Sequence, residues 1–333
     1  MVRETGGTMR GVDIPRYGEA EVMQIRDLPR PEPAAGEVLI QIAAAGINHG
    51  DLVQRRGNYP PPPGASSIPG LEVAGTIVAC APDVTRWQPG DEVCAILAGG
   101  GYASYCTAPA DQCLPIPPGI SLIDAASLPE TFCTVWDAVW GQARLGRAES
   151  LLVHGGSSGI GVTAIQLARA LGHPVYATAG SPEKCSACLS LGATAAINYK
   201  RQDFVEEVLQ ATAGQGVDVI LDMVGGGYLP RNMSVLAIHG RQVSIGVQDG
   251  PDARIDVREM MRKRLTLIGT TLRSRDLAYK ARICRELEAH VWPLFAAGKV
   301  RPVVHRRFPL DAVAQAHRAL EQGGHVGKML LIP

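Results

Sequence analysis

The 333-residue chain has no net charge, because 32 lysines and arginines are matched by 32 aspartates and glutamates. No global field draws it to nucleic acid or to an anionic membrane surface. Met1 to Thr8 lacks the basic-then-apolar order of a secretory leader, and no run of about 18 apolar residues is free of charge or of Gly and Pro breaks, which argues against a spanning helix. The eight cysteines are scattered, unlike the framework of a small disulfide-stapled domain, so a reducing, cytoplasmic setting is expected. Internal repeats and low-complexity segments are missing as well. What is present is 46% hydrophobic and 19% charged residues, a globular composition in a chain long enough for two domains and a large core.

The rest of the chain is organised around residues 150–161, Ser-Leu-Leu-Val-His-Gly-Gly-Ser-Ser-Gly-Ile-Gly. A short apolar run ends in a glycine-rich turn. Ala164, Ile165, Ala168 and Leu171 then fall at i, i+1, i+4 and i+7, one face of a helix that Gly172 stops. Strand, glycine turn and helix in that order build a cradle for a pyrophosphate: glycine permits the tight turn and close approach, and the helix start aims unpaired N–H groups at the anion. Gly156, Ser158, Gly159, Ile160 and Gly161 are the expected contacts. The spacing is not a strict G-x-G-x-x-G, so an ordinary strand-to-helix turn, with Ser158 a plain helix-start serine, stays open.

Before this turn the chain reads as short strands. Residues 38–42 are apolar and β-branched after a Pro-rich turn, residues 70–78 and 93 onward give further strands, and the Pro60-Pro61-Pro62-Pro63 run must be extended. A β-rich, barrel-like module to about residue 125 is expected. From Leu128 the texture alternates, with strands expected at 151–154, 175–178, 195–199, 217–224, 241–246 and 265–272 and helices at 182–191, 203–213 and 258–263. That is the signature of a doubly wound parallel sheet, an α/β fold of Rossmann type. A longer helical pattern runs from Arg273 to about Ala297, and β-like pieces around a helix near Asp311 follow it. The tail is expected to return to the β-rich module, which makes the domains 1–127 with 273–333, and 128–272.

The end of the second sheet strand decides between cofactors. An NAD-preferring fold places an Asp or Glu there to bond the ribose hydroxyls. Here Gly180 and Ser181 stand in its place, followed by Pro182, Glu183 and Lys184. Ser181 with Pro182 makes a good helix start, and Lys184 lies in the first turn, where the dipole disfavours a cation. A 2′-phosphate explains both the missing acid and the lysine, and Lys200 and Arg201 extend the same basic pocket. A solvated surface lysine is the alternative, and Glu183 points the other way. NADPH is the expected cofactor.

The order of a β-rich module, a nucleotide-binding domain and a return resembles the medium-chain dehydrogenase/reductase superfamily, with a GroES-like first domain. Residues 54–66 (Gln-Arg-Arg-Gly-Asn-Tyr-Pro-Pro-Pro-Pro-Gly-Ala-Ser), 196–200 (Ala-Ile-Asn-Tyr-Lys) and 271–276 (Thr-Leu-Arg-Ser-Arg-Asp) are similar to the zinc-free, zeta-crystallin-like quinone oxidoreductases. Within these they look like the subgroup inducible by a tumour suppressor. The resemblance covers the chain from about Met9. Zinc-dependent members place a Cys after the first long strand and a His before the Glu of a Gly-His-Glu motif. Here those positions look like Asn48 and Leu71, with Glu72 retained. Two ligands are gone, so no metal is expected. Cys80, Cys94, Cys106 and Cys113 are too widely spaced for the family's structural zinc lobe, and the Cys185/Cys188 pair reads as packing on a helix. The short-chain dehydrogenases also carry a turn like residues 156–161, but they need Tyr-x-x-x-Lys, and no tyrosine here has a lysine four residues on.

The resemblance implies hydride donation from NADPH to a quinone in a cleft between the domains, with the protein supplying orientation and electrostatics. Asn48 and Tyr59 line that cleft, Tyr59 as hydrogen-bond donor to the reducing carbonyl; packing on the proline run, or for Asn48 a capped loop, is the alternative. Thr134, at the expected start of the first helix of the binding domain, reads as a cofactor contact or an N-cap. Strand ends supply Gly225, Gly246, Val247, Thr271 and Leu272 toward the nicotinamide ribose and carboxamide. The family's last cofactor-side loop supplies Lys328, open between a cofactor contact and a solvated charge, and Tyr199 sits against the 2′-phosphate or is a strand-end aromatic. Reduction of an activated C=C bond in an enal, enone or enoyl thioester is the second enzymatic reading. A crystallin-like or RNA-binding protein is the non-enzymatic one, against which the neutral charge speaks. Residues 265–271 carry few charges to guard a sheet edge, and the resemblance implies a homodimer through that strand.

Overall fold

The computed structural model describes residues 7–333; the leading residues of the expected first domain, 1–6, lie outside them. The chain divides into two compact units, one running to Cys133 and resuming at Leu272–Pro333, the other Thr134–Thr271.

The first unit is antiparallel except for one strand pair in the returning tail. Strands β1 (Thr8–Asp13) and β2 (Gln24–Pro29) pair with each other. Five more follow in this part of the chain: β3 (Glu37–Ile47), β4 (Glu72–Cys80), β5 (Glu92–Ile96), β6 (Tyr105–Pro109) and β7 (Cys113–Pro115). β3 is the long central strand because its apolar run can be buried along nearly its whole length: Val38, Leu39, Ile40 and Ile42 are all buried. Val73, Ile77, Val93, Leu97, Tyr102 and Phe308 pack into the same core, each large apolar side chain contributing about 1.5–3 kcal/mol.

The second unit holds β8 (Leu151–Val153), β9 (Val175–Ala179), β10 (Ala195–Asn198), β11 (Val217–Asp222), β12 (Leu236–Ser244) and β13 (Thr266–Gly269). All pair in parallel, in the order β10-β9-β8-β11-β12-β13. This is the doubly wound arrangement expected, whose strand order reverses beside β8. The Pro182–Leu191 helix has the expected bounds. β12 begins five residues before the expected 241 because residues 237–240 bulge out of register between Leu236 and Arg241. His239 sits at φ 64° in that bulge, and the irregular stretch hides the strand start.

In the returning tail, β14 (Val304–Pro309) and β15 (Lys328–Ile332) complete the first unit's large sheet, in the order β14-β15-β3-β4-β5-β7 with β6 on β3. β15 pairs antiparallel with β3, Met329 opposite Ile47. Among the described residues no helix is long and apolar enough to cross a membrane.

Candidate active site

In the parallel unit the glycine turn is built as a cradle. Gly155 sits at φ 68°. A Cβ on Gly156 would lie 2.7 Å from Ala177 Cβ and 2.9 Å from Cys188 Sγ, so the turn lies flush on β9 and its helix. Cys188 is thereby a packing thiol, and Cys185 and Cys188 are both free. Ser158 caps the Gly159–Ala170 helix, its hydroxyl accepting from Gly161 N at 3.0 Å. The helix start therefore presents its first-turn N–H groups at the carboxyl end of β8, the geometry that binds a pyrophosphate.

Behind the turn stands a residue that the sequence reading passed over. His154 is fully buried, Nδ1 3.0 Å from Thr178 Oγ1 and Nε2 2.7 Å from Asn232 Oδ1. An amide oxygen only accepts, so Nε2 carries the proton and Nδ1 takes the Thr178 hydroxyl's. Burial pushes its pKa down, and the neutral ring ties the ends of β8 and β9 to the Tyr228–Val235 helix. The one available signal was a polar residue closing an apolar strand.

The other expected contacts cluster at the same strand ends. Ser181 caps the Pro182–Leu191 helix, accepting from Lys184 N at 3.3 Å. A Cβ on Gly180 would lie 2.8 Å from the Tyr199 hydroxyl, which brings Tyr199, 43% exposed, over that helix start. Lys184 is half-buried; desolvation and then the charge of Lys200 lower its pKa, so two ammonium groups face this corner. Asp222, fully buried, accepts from Val224 N at 2.8 Å and Gly225 N at 3.2 Å, shaping the turn in which Gly225 and Gly226 take φ 69° and 49°. Gly246 lies against Met223, and Val247 and Thr271 are exposed.

Thr134 differs from expectation. It lies near the end of the Pro129–Val135 helix, which runs straight into a π-helical segment, Trp136–Gln142. An N-cap needs extended backbone, so the capping reading fails; a π-helical segment is a frequent mark of a functional site. Leu272, Asn48, Tyr59 and Lys328 belong to the other unit.

There the pairing of β3 with β4 and β15 brings Asn48, Glu72 and Lys328 together, although they are far apart in sequence. Lys328 is not a solvated charge: it is 5% exposed, and Nζ donates to Ile47 O at 2.8 Å, Asn48 Oδ1 at 2.5 Å and Glu72 Oε1 at 2.6 Å. Its three N–H groups are thus all engaged. Asn48 Nδ2 donates to Glu72 Oε1 at 3.0 Å, and Glu72 Oε2 accepts from Glu130 N at 2.9 Å. Gly46 makes the room, because a Cβ there would lie 2.1 Å from Glu72 Oε1. This donor set does not fit zinc. Leu71 offers no ligand, Asn48 offers only an amide already bonded, and an ammonium occupies the carboxylate. Among the described residues no cluster of three His, Cys, Asp or Glu is placed to hold a metal.

A second buried network holds the Asn48 backbone. Asp51 accepts from Asn48 N at 2.8 Å, Gly70 N at 3.0 Å and the Tyr102 hydroxyl at 2.9 Å. Behind it, His317 Nε2 lies 3.2 Å from Tyr102 Oη, and its Nδ1 3.3 Å from Arg55 Nη1. Burial pushes Asp51 up to about 6 from 3.8, and burial, helped by Arg55 and Arg56, pushes His317 down to about 3 from 6.5. For Asp51, with its folded pKa raised, the stability present below pH 3.8 is lost as pH rises through 6. For His317, with its folded pKa depressed, the stability present above pH 6.5 is lost as pH falls toward 3. Between about pH 4 and 6 each contributes roughly 1.4 kcal/mol per pH unit with opposite sign, so they cancel. Denaturant titrations across that range are expected to show His317→Gln growing relatively more stable in acid and Asp51→Asn relatively less. Identical pH slopes in both variants and the parent would contradict the assignment.

Tyr59 is half-buried against Gly50, where a Cβ would lie 3.4 Å from Tyr59 Cε1. Burial raises the pKa of the phenol, so it stays a donor at neutral pH. Among the described residues nothing hydrogen-bonds its hydroxyl.

The chain is similar to several known proteins along nearly its whole length. The Alcohol dehydrogenase GroES-like domain model matches residues 34–118 and the Zinc-binding dehydrogenase model matches residues 159–287. The Mus musculus quinone oxidoreductase is 33% identical over 329 residues, 97% of this chain and 98% of that protein. The Escherichia coli quinone oxidoreductase complexed with NADPH superposes with a TM-score of 0.86 at 29% identity, covering 98% of this chain and 99% of that one. The CurK enoyl reductase gives a TM-score of 0.84 at 30% identity, over 97% and 99% of the two chains.

Proposed function

The chain belongs to the quinone oxidoreductase family of the medium-chain dehydrogenase/reductase superfamily, and from that premise we infer that it reduces quinones with NADPH and without zinc. The observation that carries this reading is the Lys328 ammonium bonded to Glu72 and Asn48, in the position where zinc-dependent relatives need ligands. Held by the glycine turn and the Gly180–Lys184 corner, NADPH would supply the hydride, and a proton from solvent would complete the hydroquinone. A quinone carbonyl is electrophilic enough to accept that hydride without a Lewis acid, and the Tyr59 phenol donates a hydrogen bond to the oxygen that gains charge.

The cofactor residues are Gly156, Ser158, Gly159, Ile160 and Gly161 for the pyrophosphate, with Gly180, Ser181, Lys184 and Tyr199 for the 2′-phosphate. Thr134, Gly225, Gly246, Val247, Thr271 and Leu272 serve the nicotinamide half. Lys328 acts through Asn48 and Glu72, since its donors are engaged there. The dinucleotide domain is the Thr134–Thr271 unit. Lys184→Ala is expected to weaken NADPH about 10- to 100-fold, the worth of one charge-assisted hydrogen bond, and to leave NADH nearly unchanged. Titration of both cofactors by fluorescence checks it, and equal losses would remove the 2′-phosphate site.

A second reading, reduction of activated C=C bonds, is favoured by the likeness to the CurK enoyl reductase. The same hydride serves it with a different pocket. Steady-state rates with ortho- and para-quinones against enals and enones separate the two, and turnover of the alkenes alone would overturn the quinone reading.

The functional form proposed is a homodimer. β13 is an edge strand of the parallel sheet, and Ile255, Val257 and Met261, just before it, are 45%, 58% and 71% exposed, an apolar stretch that an edge-to-edge partner would cover. Light scattering at micromolar concentration is expected to give twice the chain mass; a single-chain mass would contradict it. Eight free cysteines suit a reducing compartment such as the cytoplasm.

A further inference from the structure

Arg273 opens the returning tail, two residues after Thr271, and the reading above gives it no role. It is 6% exposed, and three of the five N–H groups of its guanidinium donate within the β-rich unit. Nε donates to Ala98 O at 2.8 Å, Nη1 to Tyr59 O at 3.1 Å and Nη2 to Gln54 Oε1 at 2.7 Å. The same group lies over the Tyr59 ring, 5.0 Å from its centroid. Gln54 in turn donates to Ser67 O at 3.0 Å, so one planar fork ties the end of the His49–Arg55 helix, the Tyr59 backbone and the start of the 98–101 glycine loop.

Tyr59 is therefore held twice by one side chain. Its carbonyl is fixed by a hydrogen bond and its ring by a cation–π stack. Pro60 follows it, and a residue before proline is confined to extended backbone. What freedom remains lies in the ring torsions, which the stack restricts. Lysine cannot replace this, because it has no planar face to stack while donating in a fork.

We propose that Arg273 is a positioning residue that sets the orientation of the Tyr59 phenol toward the quinone carbonyl. The inference rests on the reading of Tyr59 as the hydrogen-bond donor to substrate. An aromatic donor swung off its line loses most of its effect on the reacting oxygen, as small misplacements in a site are costly. The positive charge also opposes the rise that burial imposes on the phenol, which keeps it a better donor.

The test uses the full-length protein carrying 3-fluorotyrosine, with the Tyr59 resonance assigned by its loss in Tyr59→Phe. Arg273→Gln is expected to move that resonance toward the free amino-acid position. It is also expected to lower kcat for a quinone on the order of 10- to 100-fold, with the Kd for NADPH unchanged. In the Tyr59→Phe background the same substitution should lower kcat no further. An unmoved resonance, or losses that multiply in the double variant, would overturn the proposal. Full quinone turnover by Tyr59→Phe would instead overturn the reading of Tyr59, while the fluorine shift would still show whether Arg273 holds the ring. If Arg273→Gln does not fold, Arg273→Lys, which keeps the charge and loses the stack, carries the same comparison.

Discussion

Lys328→Met is expected to destabilise the β-rich unit by about 3–5 kcal/mol, because it strips the partner from a buried carboxylate. Glu72 is fully buried, and its Oε1 would keep only the Asn48 amide. Oε2 would keep the Glu130 N–H, which stabilises but does not neutralise the charge. The double variant Lys328→Met, Glu72→Gln should recover more than half of the loss, since no charge is then stranded. Urea denaturation of the three proteins measures this. A single-variant loss below about 1 kcal/mol, the range of exposed pairs, would mean that the cage is not a tight ion pair. Quinone turnover in the double variant is informative too: Asn48 loses the Lys328 donor, and the single amide oxygen replacing the carboxylate cannot accept from both Asn48 Nδ2 and Glu130 N, so kcat should fall even where stability returns.

Gly161→Ala is expected to cost NADPH binding on the order of 100-fold or more, the scale of a misplaced contact in a preorganised site. A Cβ there would stand 2.3 Å from Gly155 O and 2.5 Å from Gly156 Cα. Both are backbone atoms of the turn itself, so no side chain can move aside. The turn has to open, and the helix start moves away from where the pyrophosphate lies. Fluorescence titration with NADPH checks the size of the loss, and Gly269→Ala, which meets nothing within 4 Å, is the control for a tolerated methyl. An unchanged affinity in Gly161→Ala would mean that the anion is not held by this turn.

The glycine turn, the alternation of strand and helix and the missing acid at Gly180 were legible because each is local: a few adjacent residues carry the whole signal. The network around Glu72 was not. Asn48, Glu72 and Lys328 meet only because β15 and β4 flank β3, and pairing between distant strands leaves no mark in short windows. One hint was present. Gly46 stands inside an apolar strand, a position that often marks close approach by another group, and here that group is the Glu72 carboxylate. Thr134 was misplaced because nothing in residues 129–142 announces a helix that shifts to π-helical bonding. His154 was absorbed into its strand for the opposite reason, since the apolar run before it dominates the pattern. Arg273 looked like one member of a family signature, and its contacts with Gln54, Tyr59 and Ala98 become visible only in three dimensions.

The central claim, zinc-free reduction of quinones by NADPH, is tested most directly by following NADPH oxidation with a quinone in protein exhaustively treated with chelator, with zinc measured on the same sample. The predicted result is undiminished turnover at far less than one zinc per chain, faster with NADPH than with NADH. Loss of turnover that returns with one equivalent of zinc, or no quinone turnover at all, would contradict it.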